Sequence, residues 1–106
     1  MSSPLLSCPS IGTHRIQRND INRVLIVDNI MVRFTPIEYR LLMHLLNGQA
    51  VSDVELIKAA FGSEAAISAR ENLDKHIDNM RSKLQPSGLN IHRVAKYGYV
   101  LLAASE

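Results

Sequence analysis

Along this chain the spacing of apolar residues changes twice, from strand-like alternation to helical spacing and back again. From His14 the pattern is strand-like. "HRIQ" is short and fits an edge strand, while "RVLIV" and "IMVRF" are rich in β-branched residues. Asp28 and Asn29 stand between the last two. Both residue types tolerate positive φ, so a tight hairpin is expected there. The N-terminal third therefore reads as a small antiparallel sheet. Ahead of it, residues 1–12 are rich in Ser and Pro and read as a ragged tail, which leaves a domain over residues 13–104.

Helical spacing begins at "TPIEYRLLMHLLNG". Thr35 can accept from the free amides of a first turn, Pro36 suits the first helical position, and Glu38 completes a capping box. Ile37, Leu41, Leu42, Leu45 and Leu46 form a wide apolar stripe, and Gly48 can take the left-handed cap. After a brief extended link at Ala50-Val51, "SDVELIKAAFG" repeats the design. Ser52 and Glu55 start it, Val54, Leu56, Ile57, Ala60 and Phe61 supply the buried side, and Gly62 stops it. Ser68 and Glu71 mark a third start. Leu73, Ile77, Met80 and Leu84 then recur at i, i+4, i+7 and i+11, a narrow arc on a 3.6-residue period. Pro86 and Gly88 end that helix.

The last segment returns to strands: "NIHRV" alternates, "AKYG" can turn, and "YVLL" leads back. The order is sheet, helix, helix, helix, hairpin. A helix-turn-helix followed by a β-hairpin is the winged-helix arrangement. The expected fold is thus α+β: an N-terminal antiparallel sheet, three helices and a C-terminal β-hairpin wing. The second helix is the supporting one, residues 69–84 are the reader, and residues 91–102 are the wing.

Composition narrows the function classes. With 46% hydrophobic and 21% charged residues the chain reads as an ordinary globular domain. Its net charge of +2 permits a nucleic-acid partner without requiring one, because clustering of charge matters more than its sum. No apolar run approaches the length of a membrane span, and the first residues lack the basic and apolar regions of a secretory signal. Cys8 is the one cysteine, so no internal disulfide can form, and a cytoplasmic protein with no membrane association is expected. His14, His44, His76 and His92 show no metal-ligand spacing. There is no glycine-rich phosphate loop, serine elbow or helical His-Glu-x-x-His, and the Ser/Thr–Glu pairs are explained as helix starts. Neither a metal, a cofactor nor an enzymatic activity is expected.

At "FTPIEYRLLMHLL", "VSDVELI", "HIDNMRSKL" and "VAKYGYVLL" the sequence resembles the DNA-binding effector domain of OmpR/PhoB-type response regulators. The matching residues are Thr35, Pro36, Glu38 and Tyr39, then His76, Ile77, Arg81, Lys83 and Leu84 with Met80 in place of Leu, then Gly98 and Tyr99. The resemblance spans roughly Ile16 to Leu102 and rests on four motifs in the right order. It implies a two-component-like transcription regulator with its reader helix in the major groove of double-stranded DNA and its wing in the adjacent minor groove. It further implies that the 62–67 loop touches RNA polymerase. The chain departs from the family in three ways. Asp78 and Asn79 stand where basic residues are frequent, the two wing arginines are missing, and Lys96 replaces a customary Gly. A receiver domain would need about a hundred further residues. Either the chain is an excised fragment or the protein works without phosphorylation, and of the two a stand-alone domain is the expectation.

With Leu73 at the centre of the buried arc, Asn72, Lys75, His76, Asn79 and Lys83 spread over one outward side, and Glu71, Asp78 and Ser82 gather at its edge. Asn pairs with adenine edges and Lys with guanine acceptors, while carboxylates repel phosphate. Binding is expected to be less salt-sensitive than in a fully basic relative, with dimerisation on DNA as compensation. Arg70 and Arg81 flank the arc and suit either phosphates or acidic neighbours such as Asp74. Arg93 and Lys96 are the wing's phosphate candidates, and Tyr99 reads as a core anchor. The candidate contacts are thus Arg70, Asn72, Lys75, His76, Asn79, Lys83, Arg93 and Lys96. The rival reading, prompted by Asp78, Asn79 and the missing arginines, is an adaptor that keeps the scaffold but binds RNA polymerase or another regulator.

Overall fold

The computed structural model describes residues 5–62 and 69–103. Four antiparallel strands open the chain: β1 (Leu6–Ile11), β2 (His14–Asn19), β3 (Val24–Val27) and β4 (Ile30–Arg33), neighbours in that order. The hairpin at Asp28-Asn29 is present, with Asp28 at φ 57°. The Asp28 carboxylate pins this turn to β2, accepting from the Arg15 amide at 2.9 Å and pairing with His14 Nδ1 at 2.7 Å. The His14 hydrogen bond, more than any other influence, holds the Asp28 carboxyl below its ordinary range.

The strand at Leu6–Ile11 corrects the expected ragged tail. Ile11 is buried and Cys8 packs against the core opposite Ile16. Pro9 is tolerated because β1 is an edge strand with a break in register between Cys8 and Ile11. Consequently "HRIQ" lies in an interior strand, not an edge one.

Helix α1 (Pro36–Leu45) starts as its sequence dictates. Thr35 accepts from the Glu38 amide at 3.3 Å, and Glu38 reaches back to the Thr35 amide at 3.0 Å. Helix α2 (Asp53–Phe61) is capped by Ser52, whose hydroxyl accepts from the Glu55 amide at 3.2 Å. Its buried positions are Asp53, Leu56 and Ala60, a helical arc. Val54 lies about 100° round from Asp53 and is 61% exposed, contrary to its expected place in the buried side. Helix α3 (Ala69–Leu84) buries Leu73, Ile77, Met80 and Leu84 almost completely, as the arc requires. Of its expected capping box, Ser68 lies outside the described residues. A 3-10 turn at Gln85–Ser87 and a left-handed Gly88 end it.

The second sheet comprises β5 (Val51–Ser52), β6 (Leu89–Val94) and β7 (Gly98–Ala103), in the order β5-β7-β6. The link at Val51 is thus a strand that pairs with the wing. Gly98 makes the pairing sterically feasible, since a Cβ there would sit 1.8 Å from the Val51 carbonyl oxygen. One continuous core joins both sheets and the three helices. The architecture is the winged helix, with a four-stranded N-terminal sheet and a terminal hairpin.

Candidate nucleic-acid interface

The buried seam of α3 decides what the helix can present. Opposite that seam lie Asn72, Lys75, Asn79 and Ser82, all exposed, at i, i+3, i+7 and i+10. They make a continuous ridge of amides, an ammonium and a hydroxyl. Ser82, expected at the edge among carboxylates, belongs to this ridge. Asp78 runs beside it but is paired with Arg81 at 2.9 Å.

Among the described residues, Lys83, His76 and Arg81 on α3 are already engaged. Lys83 leaves the outward side for the flank facing α1, where its ammonium pairs with Glu38 and lies 6.0 Å from the centre of the Phe34 ring. Glu38 is only 2% exposed and carries the α1 capping bond as well. This is a structural pair, since a buried carboxylate demands a cation or a proton. His76 turns toward α2, its ring 5.8 Å from that of Phe61. Arg81 donates to the Ile91 carbonyl at 2.8 Å as well as to Asp78, so of its two expected uses it takes the acidic neighbour, with Asp78 as that neighbour. Arg70 falls within α3 with its side chain outside the described part, and of the 62–67 loop only Gly62 is described.

The wing is held to the helices by a polar cluster around Tyr99. That residue is buried, as expected of an anchor. Its hydroxyl donates to Asp74 on α3, and the guanidinium of Arg93 lies 5.0 Å from its ring centre. Burial first, and then the hydrogen bond to Asp74, pushes the Tyr99 hydroxyl up to about 12. Arg93 in turn donates to Asp53 at 2.7 Å, an interaction that raises its pKa. The Asp53 amide also donates to the Tyr97 carbonyl at 2.8 Å. Arg93, expected to be free for phosphate, therefore ties the wing to the start of α2. Glu38 has a capping role that hides it as a partner in the sequence, and nothing local marks Asp53, whose partner lies 40 residues away.

What remains free at the wing tip is Lys96, exposed and at φ 61°, with Tyr97 beside it. Among the described residues no group of His, Cys, Asp and Glu could hold a metal ion, and no helix is long and apolar enough to cross a membrane.

Comparison with solved structures places this geometry among response-regulator domains. The DNA-binding domain of AdeR in complex with an intercistronic region superimposes with a TM-score of 0.67 at 21% identity, over 83% of this chain and 94% of that one. The Klebsiella pneumoniae RstA DNA-binding domain in complex with the RstA box gives 0.68 at 19%, over 93% and 97%. The C-terminal domain of the nisin resistance regulator NsrR gives 0.67 at 25%, over 91% and 98%. Comparison with curated protein sequences finds no match. The model of the family described as "Transcriptional regulatory protein, C terminal" matches residues 29–101. The winged helix, the outward ridge on α3 and a family match over well over half of its length agree, and the chain belongs to this family of OmpR/PhoB-type DNA-binding regulator domains, which are not enzymes.

Proposed function

We propose that this domain is a sequence-specific, DNA-binding transcriptional regulator of the cytoplasm. Helix α3 enters the major groove, and the wing lies against the minor groove or its backbone. The observation that carries the reading is the free ridge of Asn72, Lys75, Asn79 and Ser82 opposite a fully buried seam. The DNA-bound state of the AdeR and RstA domains supports it. Asn79 and Asn72 suit adenine edges, each good bidentate pair discriminating by about 1–3 kcal/mol, and Lys75 suits guanine acceptors or phosphate. Lys96 provides the backbone contact on the wing. Lys83 and Arg93 support the scaffold in this reading. So small a set of free cations favours binding as a homodimer.

The test is selection of binding sites from random duplexes at low salt, followed by a salt titration on the winner. A consensus is expected, lost on Asn79→Ala, with a shallow salt dependence fitting about two to four phosphate contacts per domain. Absence of any retained duplex at low salt would refute the reading. One observation favours the adaptor alternative: Arg81, Lys83 and Arg93 are all paired internally. That reading requires a protein partner, RNA polymerase or another regulator, captured without DNA through α3 or the 62–67 loop. Loss of that capture on Lys75→Ala, together with no duplex shift, would support it.

A further inference from the structure

The cations without an acidic partner are not gathered on the reader helix. Arg15 and Arg33, both exposed, form no ion pair among the described residues. Both belong to the outer face of the first sheet. Strand alternation fixes this, because Ile16, Leu25, Val27 and Val32 are core residues and their neighbours point the other way. On that outer face Asn19, Val24 and Arg33 form one cross-strand row, and Gln17, Ile26 and Met31 form the next. Neither row contains a carboxylate; Arg15 stands in the following row, opposite Asp28. The nearest acids are already engaged: Asp20 with Tyr39 at 2.6 Å and Arg18 at 3.2 Å, and Asp28 with His14.

The face is also hollow and apolar. A depression of about 310 Å³ is floored by Leu5, Val24, Ile26 and Met31 and closed at one side by Arg33. Met31 is 65% exposed, and Ile21 in the adjoining turn is 73% exposed. Isolated exposed apolar side chains need no explanation, but a cluster edged by Arg33, a cation without an ion pair among the described residues, does; Arg15 lies further along the same face, outside the hollow. Phosphate backbones gain little from an apolar floor. A second copy of this chain presenting its wing would bring Lys96 against Arg15 and Arg33, like charge against like. What fits is a segment with apolar anchors for the hollow and carboxylates for the guanidiniums, which bind them in bidentate fashion. Methionine adds an adaptable floor.

We propose that the outer face of the β1–β4 sheet docks an acidic, amphipathic segment of a partner protein. The helices cover the opposite side of this sheet, so the docked segment leaves α3 free. The inference stands whether or not α3 reads DNA.

The test is an NMR titration of the 15N-labelled protein with a small panel of synthetic helical peptides. Their leucines fall at i, i+3, i+4 and i+7 and the remaining positions are Glu, with a Lys-for-Glu panel and a composition-matched scrambled panel as controls. The expected result is shifts at the amides of Val24, Ile26, Met31 and Arg33 with the acidic amphipathic peptides alone. Arg15→Glu with Arg33→Glu should weaken that binding at least tenfold, and Lys75→Ala with Lys96→Ala should leave it unchanged. Circular dichroism of the double-Glu variant checks its fold. Met31→Gln is a second variant that keeps the arginines and should weaken binding through the floor. Shifts confined to Lys75 and Lys96, equal binding of scrambled peptides, or no shift with any peptide would overturn the proposal. Self-association through this face in sedimentation, or binding to anionic vesicles but to no peptide, would also overturn it.

Discussion

Lys96 offers a way to separate binding from stability. It occupies the left-handed region at φ 61° in the turn between β6 and β7, closed by the Tyr97 amide donating to the Val94 carbonyl at 3.0 Å. A side chain bearing Cβ in that region carries a cost of about 1–2 kcal/mol. Glycine relieves it but loses about 0.5–1 kcal/mol through its freer unfolded chain. The difference leaves Lys96→Gly between neutral and about 1.5 kcal/mol more stable, a rise in Tm of up to about 7 °C for a domain of this size. On DNA the same change removes one cation. If Lys96 meets a phosphate, the slope of log K against log salt falls by about 0.9, which near 0.1 M salt is roughly an eightfold loss of affinity. Thermal melts and salt titrations on the selected duplex measure both effects. Lys96→Asn serves as a control, since Asn tolerates the left-handed region without carrying charge. Equal or higher Tm with weaker, less salt-dependent binding is the expected pair of results. An unchanged salt slope would refute the phosphate contact, and a Tm lowered by several degrees would refute the backbone argument.

Lys83→Ala leaves the 2% exposed Glu38 carboxylate without its cation, and chemical denaturation should show a loss of about 1–3 kcal/mol, with Lys83 itself 36% exposed. Glu38→Gln with Lys83→Met should recover part of it; a neutral single Lys83→Ala would show that water serves Glu38 equally well. Tyr99→Phe changes the alkaline limb of stability. The native Tyr99 hydroxyl titrates at about 12, above its usual 10, so the stability it contributes is complete below pH 10 and falls as pH rises toward 12. The variant should therefore lose less stability over that window, and parallel wild-type and variant curves would remove the Asp74 link. For Asp28 the sign is opposite. Its lowered carboxyl pKa adds stability above the ordinary carboxylate range that disappears as pH falls through the lowered value, so Asp28→Asn should flatten the acid limb in urea titrations.

The parts most legible in the sequence were those governed by local chemistry. Thr35–Glu38 and Ser52 specified helix starts that the chain uses, and the Leu73–Leu84 seam specified which side of α3 is buried. Asp28-Asn29 specified a turn for the same reason, because positive φ is a property of single residues. What depended on partners far along the chain was not legible. The strand at Leu6–Ile11 carries a proline and exposed serines, and becomes a strand only because β2 offers it an edge. Val54 looked buried by type, but the phase of α2 was set by Asp53 packing toward the wing. Lys83 looked free because Glu38 lies 45 residues away and already had a capping role.

That last kind of misreading is instructive about charge in a small regulator. Counting Lys83 and Arg93 as DNA contacts, and leaving Arg81 open to phosphate, assumes that a cation near a reader helix faces outward. Each instead pairs with a carboxylate: Glu38 and Asp53 are buried acids that would be costly to leave alone, and Asp78 is an exposed one on the helix itself. Pairing lowers the helix's general attraction for phosphate and holds the wing and α3 in a fixed relation, so the proposed site depends on the placement of Asn72, Lys75, Asn79 and Lys96. Specificity suffers less than affinity from such a design. A mispaired base costs about 1–3 kcal/mol whatever the salt, while the phosphate term is diluted as salt rises. Discrimination between cognate and random duplexes should therefore hold nearly constant as ionic strength increases. A preference that collapses with added salt would mean that phosphate contacts, not the asparagine ridge, choose the site.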